Sequence, residues 1–290
     1  MAPKSNHSSR NGSPLRPAFA GTSSYTPDTM SVADELHPVI HAGRVALVTG
    51  AASGIGRAAA IEFAKLGLKV AIADISEDAL TEVGKTLSAI VGEPNVLVVP
   101  TDVSKLDQVR ALRDRVYEAW GEVAVLMNNA GIGLKGTSWE GLDNWHKIFE
   151  VNVFGGNAAY NASKAAVKSL TEGLAHELRE RSGSNMTAHL FIPGWTFTSL
   201  TSPTPSNPST KPAGAWTPEE TVLYMLDKVR STGDFYILVP DNETKREVDQ
   251  LRIMWGAADV AEGRPALSRW DANWKALYEE YVREGLAQLE

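Results

Sequence analysis

RVALVTGAASGIGRAAAIEFAKLGLKVAIAD, residues 44–74, is the stretch that decides the fold. It opens on an apolar, β-branched run, Val45–Val48, of the kind shown by a strand buried on both faces. Glycines follow at Gly50, Gly54 and Gly56, then helix formers from Arg57 to Leu66, closed by Gly67. A second apolar run, Val70–Ala73, ends on Asp74. The order strand, glycine turn, helix, strand, acid has a physical logic. Glycines let the backbone approach a pyrophosphate, and a helix N-terminus offers free N–H groups and a positive dipole end. An acid closing the second strand accepts hydrogen bonds from the adenine-side ribose.

Composition bounds the rest. At 290 residues and 43% hydrophobic content the chain can bury a full core. A formal charge of −7 and a pI near 5.5 argue against nucleic acid or an anionic membrane as main partner. No apolar run approaches the roughly eighteen residues of a membrane-spanning helix. Cysteine is absent, so neither disulfide nor thiolate chemistry is available, which suits a cytoplasmic protein. The six histidines are scattered, without the clustering a metal site needs, and no metal is expected.

Residues 1–40 are rich in Ser, Pro, Asn and Gly and read as a disordered leader. Lys4, Arg10 and Arg16 precede the first acid, Asp28, which leaves a weak organelle-targeting reading open, and Met30 offers a second start. Residues 41–290 read as a single domain with a helical extension over 241–290. Beyond Asp74, Ser76 with Glu77 and Asp78 predicts a helix towards Ile90. A third strand spans Val96–Val99, and Ser104 with Asp107 predicts a capping box for a helix ending near Trp120–Gly121. Val123–Met127 is a fourth strand, followed by Asn128–Asn129–Ala130–Gly131. Strands alternating with helices predict a parallel sheet with right-handed crossovers.

Tyr160 and Lys164 stand four residues apart on a helix running to about Arg181, a spacing that places both on one face. An ammonium about 4 Å from a phenol contributes roughly 4 kcal/mol at an effective dielectric near 20. That is about three pKa units, enough to draw a phenol from ~10 towards neutrality, where proton transfer works best. A strand over Met186–Ile192 ends in Pro193–Gly194–Trp195–Thr196–Phe197–Thr198. The Pro/Ser-rich stretch after it, about 195–216, reads as a mobile substrate lid. Thr217–Pro218–Glu219–Glu220 predicts a capped helix start, and Phe235–Val239 a last short strand. Trp270, Trp274, Tyr278 and Tyr281 fall at helical spacing and read as packing, within the subunit or at a subunit contact.

The spacing T-G-x-x-x-G-x-G (Thr49–Gly56), the N-N-A-G after the fourth strand, Y-x-x-x-K and P-G-x-x-x-T together resemble the short-chain dehydrogenase/reductase family. The resemblance implies a Rossmann-like doubly wound parallel sheet flanked by helices. It implies a cofactor site at Gly50, Ser53, Gly54, Ile55, Gly56, Asp74, Asp102, Val103, Asn129, Ala130, Gly131, Tyr160, Lys164 and Thr198. It further implies Tyr160 as general acid/base, Lys164 lowering its pKa and holding the nicotinamide ribose, and Asn152 holding a water relay. Thr196 departs from the aliphatic residue usual at its place. Asp74 favours NAD over NADP, because a carboxylate repels a 2′-phosphate. The expected substrates are a secondary alcohol and its ketone, and a homo-oligomer fits the family habit.

The pattern also has a hole. Asn152 and Tyr160 are eight residues apart, where the resemblance implies about forty, and Gly155–Gly156 marks the seam. The resemblance implies that about thirty residues are absent there: the rest of the helix carrying Asn152, one central strand of the sheet and the catalytic serine. Losing one such hydroxyl donor typically costs ~10²–10³ in rate. Three readings follow: an NAD-dependent oxidoreductase, a catalytically impaired splice form or truncated gene model that binds NAD(H) without turnover, and a nucleotide-sensing scaffold.

Overall fold

The computed structural model of the chain describes residues 37–132, 157–201 and 210–288, with the backbone alone at 157–160. Two units divide it, 33–243 and 244–290.

In the larger unit, β1 (Val45–Thr49), β2 (Lys69–Asp74), β3 (Val96–Pro100) and β4 (Val125–Met127) form a parallel sheet in the order β3-β2-β1-β4. Register runs Val48 to Ile72 and to Met127, and Ile72 to Val98. Alternate side chains of β1 leave on opposite faces. Ala46 and Val48 join a core with Val70, Ile72, Phe63, Leu80 and Leu87 under α1 (Gly54–Lys65) and α2 (Glu77–Val91). Val45 and Leu47 join a second core with Ala71, Ala73, Val99, Leu112 and Val116 under α3 (Leu106–Trp120). Helices on both faces of a parallel sheet make this a Rossmann-like α/β fold.

Further along, α4 (Asn157–Glu180) precedes β5 (Leu190–Ile192), and α5 (Pro218–Ser231) precedes β6 (Tyr236–Leu238). β5 and β6 pair in parallel as a separate two-stranded sheet, and among the described residues no strand pairing joins β4 to β5. Val222, Leu226 and Ile237 extend the α1-side core to α5 and β6. Lys168 donates to Glu172 at 2.5 Å and the Tyr236 hydroxyl donates to the same carboxylate, tying α4 to β6.

Strand, helix and acid fall where the pattern predicts, with α1 starting at Gly54 rather than Arg57. The capping box at Thr217 is complete: its hydroxyl accepts from Glu220 N–H at 3.1 Å, and Glu220 accepts from Thr217 N–H at 2.7 Å. The one expected at Ser104 is absent. Ser104 instead turns back, donating its hydroxyl to Asp102 at 2.7 Å, and α3 starts without a side-chain cap. Residues 37–40, assigned to the leader from sequence, are placed, and Ile40 is buried in the main core.

The smaller unit holds α6 (Arg246–Glu262), a 3-10 turn (Ser268–Trp270) and α7 (Lys275–Ala287). Its centre is Trp255, ringed by Trp274, Tyr278 and Tyr281, with its indole N–H donating to Ser268 at 2.7 Å. The Arg264 guanidinium stacks over Trp255 at 4.4 Å and Trp274 at 5.3 Å. The predicted aromatic stripe therefore breaks: Trp270 lies in the turn and is exposed, because Gly263 ends α6 and α7 begins only at Lys275. No helix among the described residues is long and apolar enough to cross a membrane.

Candidate active site

β1 ends in a turn with no room for a side chain at Gly50 or Gly56. Gly50 has φ +66°, and a Cβ there would lie 2.7 Å from Ala130 Cα. A Cβ on Gly56 would collide with the Gly50 carbonyl and the Asn129 amide. What closes the turn is Thr49 together with Asn129. The Thr49 hydroxyl accepts from the N–H groups of Asn129 and Ala130, both at 3.1 Å. The Asn129 side-chain amide donates back to the carbonyls of Thr49 at 3.1 Å and Gly50 at 3.2 Å. Gly131 continues this loop, exposed.

The helix that follows starts uncapped. Ser53 occupies its N-cap without a side-chain bond, and its first turn, Gly54–Ile55–Gly56, carries no acid. Such an end leaves unpaired N–H groups and a positive dipole, the setting an anion takes. The sequence marked this turn by its glycines. Thr49 stood in the motif as a letter, and its hydroxyl's role became visible only in three dimensions.

Asp74 sits beside the turn. One carboxylate oxygen accepts from Ala52 N–H at 3.0 Å and the other from Ser76 N–H at 3.0 Å. Thr101 N–H donates to the Asp74 carbonyl at 2.8 Å, which brings the start of the Asp102–Val103 loop alongside. Asp102 accepts from Ser104 through both N–H (3.0 Å) and hydroxyl (2.7 Å). The Ser104 hydroxyl, above all, holds its carboxyl below the usual carboxylate range, against a smaller opposing effect of burial.

Thr198 arrives from the chain beyond β5. A Cβ on Gly54 would meet the Thr198 methyl at 3.3 Å, so this loop abuts the glycine turn directly. Thr201 holds it there, accepting from Thr198 N–H at 3.0 Å and donating to the Thr196 carbonyl at 2.6 Å. Four stretches distant in sequence (49–56, 74, 129–131 and 198) thus converge on one corner at the carboxyl ends of the strands, where α/β sheets bind ligands.

Lys164 lies on α4, one helical turn after Tyr160. Lys164 is solvent-exposed as a whole, yet the surroundings of its ammonium are crowded enough that desolvation lowers its pKa from the ordinary lysine value. The charge sits at the tip of the side chain, where that crowding acts. Asn152 and the seam at Gly155–Gly156 lie outside the described residues. The rear of the predicted lid is anchored: Lys211 donates to the Ala215 carbonyl at 2.6 Å, and Trp216 N–H to Trp195 at 2.9 Å. No group of metal-ligating side chains occurs among the described residues.

Comparison with known proteins places this geometry. Residues 44–156 match the family model described as short chain dehydrogenase. An uncharacterised oxidoreductase of Staphylococcus haemolyticus is 35% identical over 136 residues, 46% of this chain and 56% of that protein. The 3-oxoacyl-(acyl-carrier-protein) reductase of Thermotoga maritima is 30% identical over 197 residues, 56% of this chain and 78% of that one. The chain spans 56% and 24% of the lengths of two curated relatives it matches. The T. maritima alignment is longer than 56% of 290 residues, so that relative carries residues without a counterpart here. Among solved structures, a short-chain dehydrogenase/reductase from Burkholderia phymatum in complex with NAD superposes with a TM-score of 0.66 at 28% identity. That superposition covers 78% of this chain and 96% of the other. With its glycine turn, N-N-A-G loop and flanking acid arranged as above, this chain belongs to the short-chain dehydrogenase/reductase family.

Proposed function

We propose that the protein is an NAD(H)-dependent oxidoreductase interconverting a secondary alcohol and a ketone. The observation that carries this reading is Asp74, fixed by the N–H groups of Ala52 and Ser76 at the edge of the glycine turn. A ribose diol offers two donors to a carboxylate so placed. A 2′-phosphate brings ~2 negative charges against it, so NAD is preferred to NADP. The cradle fits a dinucleotide: side chains are excluded at Gly50 and Gly56, and the first turn of α1 is free of acid. When bound, the nicotinamide ring supplies or accepts the hydride. The B. phymatum relative, solved with NAD, supports the same choice.

The chain's own residues carry the remaining roles. The uncapped start of α1 receives the pyrophosphate, and Asp74 the adenine-side ribose hydroxyls. Asp102 and Val103 border the adenine, and Asn129, Ala130 and Gly131 border the ribose. Thr198 reaches the nicotinamide carboxamide. Tyr160 takes or returns the hydroxyl proton of the alcohol, and Lys164 favours its phenolate by charge. Asn152 holds the water that links Lys164 to solvent. Turnover of a panel of secondary alcohols with NAD, lost in Tyr160→Phe, tests this; equal activity in that variant overturns it.

A separate observation favours a second reading, in which the chain holds NAD(H) without turnover. Among the described residues β4 and β5 belong to different sheets, and each carries an exposed large apolar residue: Leu126 at 55% and Ile192 at 40%. Leu126 pairs in register with Leu47, which is buried under α3, so the same face of the sheet is covered at β1 and open at β4. Absence of a segment holding the rest of the Asn152 helix and a strand between β4 and β5 would account for both facts, and the serine expected at the strand's end would go with it. Transcripts carrying an additional in-frame segment between the codons of Asn152 and Tyr160 support this reading. Unimpaired turnover by the chain as it stands refutes it.

A further inference from the structure

The loop that brings Thr198 to the glycine turn is held from behind by residues that the roles above do not use. Trp195 and Trp216 stand at its two ends, twenty-one positions apart, and their backbones meet: Trp216 N–H donates to Trp195 at 2.9 Å and Phe197 N–H to Trp216 at 2.8 Å. Both ends rest on consecutive residues that follow β6. Asp241 accepts from Trp195 N–H at 3.0 Å through one oxygen and from Glu243 N–H at 2.9 Å through the other. Asn242 accepts from the Trp216 indole at 3.0 Å, and donates to Ala213 at 2.8 Å from its side chain and to Gly214 at 2.9 Å from its backbone.

The fit leaves no slack. A Cβ on Gly194 would lie 2.8 Å from the Val239 carbonyl and 3.2 Å from the Asp241 carboxylate, and one on Gly214 would strike Glu243. The front of the loop is equally placed, with Thr196 and Phe197 buried and Thr198 against Gly54. The segment is therefore a short strut: Asp241 at one end, Thr198 at the other, and only Trp195–Phe197 between.

We propose that Asp241 is a positioning residue for the nicotinamide side of the site, setting Thr198 through its bond to Trp195 N–H, with Asn242 fixing the far limb of the same loop. The inference rests on the reading of this corner as a dinucleotide site. Both residues bond to the loop that carries Thr198, so each is expected to act on affinity for the nicotinamide half and to leave the adenine half nearly unchanged. The bond from Trp195 N–H to a carboxylate is of the stronger class and partly accessible to solvent, so removing it is expected to weaken nicotinamide binding about tenfold.

The test is calorimetric titration of the full chain with NADH and with ADP-ribose, which has the adenine half and pyrophosphate but no nicotinamide. The parent is expected to bind NADH more tightly than ADP-ribose. Asp241→Ala is expected to weaken NADH about tenfold and ADP-ribose less than about twofold. Asp241→Asn, which keeps an oxygen acceptor for Trp195, is expected to restore NADH binding to within about threefold of the parent. Equal weakening of both ligands, or unchanged NADH binding, overturns the proposal. If Asp241→Ala does not fold, Asn242→Ala decides it: a loss selective for NADH supports the proposal and an unselective one refutes it. A folded parent that binds neither ligand removes the dinucleotide reading itself, an outcome distinct from failure of the strut alone.

Discussion

The two sheets of the larger unit differ in how well they are sealed. Every residue of β1 is buried, and β2 is buried from Val70 to Ala73, with helices over both faces. β4 has no buried residue, and β5 and β6 have one each. The half proposed to hold the nucleotide is compact in sequence: strand, turn, helix and acid occur within thirty-one consecutive residues, and Asn129, from beyond β4, joins Thr49 and Asp74 in closing their hydrogen bonds. The half proposed to carry the reaction is built from distant segments, and among the described residues no strand pairing joins β4 to β5. The two sheets therefore differ in closure, and the proposed nucleotide binding and the proposed turnover can be tested apart.

Truncations on either side test that contrast most strongly. Phe63 is 2% exposed against the first sheet, and Phe63→Ala is expected to cost about 3–5 kcal/mol in urea denaturation. Leu126→Ala, on the open face of β4, is expected to cost under about 1 kcal/mol. Comparable losses at the two positions erase the distinction. Next in size, Thr49→Val keeps the shape and removes the oxygen that accepts from Asn129 and Ala130, for about 1–3 kcal/mol and weaker NADH binding. Thr217→Ala removes half of the capping box of α5 and is expected to cost about 1 kcal/mol without altering NADH affinity.

Much of this was legible in the sequence because it is local. Period, glycines and a terminal acid describe a βαβ unit whatever surrounds it, and the Thr217 cap needs only its own four residues. Readings that depended on a choice between partners went wrong. Ser104 had the right spacing from Asp107, but the carboxylate of Asp102 was nearer and already placed by β3. Trp270 kept helical spacing from Trp274, yet the chain between them is a turn, and Trp255, thirteen residues before Ser268, became the centre. Asp241 and Asn242 left no signal, since a turn-forming Asp-Asn pair after a strand is ordinary until Trp195 and Trp216 are seen beside it.

The smallest expected effect is one of pH. His37 accepts from the N–H groups of Val39 (3.2 Å) and Ile40 (2.9 Å) through the same ring nitrogen, a role its protonated form cannot fill. Burial first, then the Arg230 guanidinium and the neighbouring His189 and His41, push its pKa below the ordinary value of 6.5. The folded state therefore prefers neutral histidine. This contribution is full above the unfolded pKa and is lost as pH falls from there through the folded value. Stability measured between pH 7.5 and 5 should decline more in the parent than in His37→Asn, in which an amide oxygen takes the acceptor role.

The central claim is that residues 44–74 hold a nicotinamide dinucleotide, with Asp74 reading its ribose. Calorimetric titration of the folded chain with NADH and NADPH tests it most directly. The account predicts saturable binding of NADH, with NADPH at least about tenfold weaker. A folded protein that takes up neither, or that prefers NADPH, contradicts it.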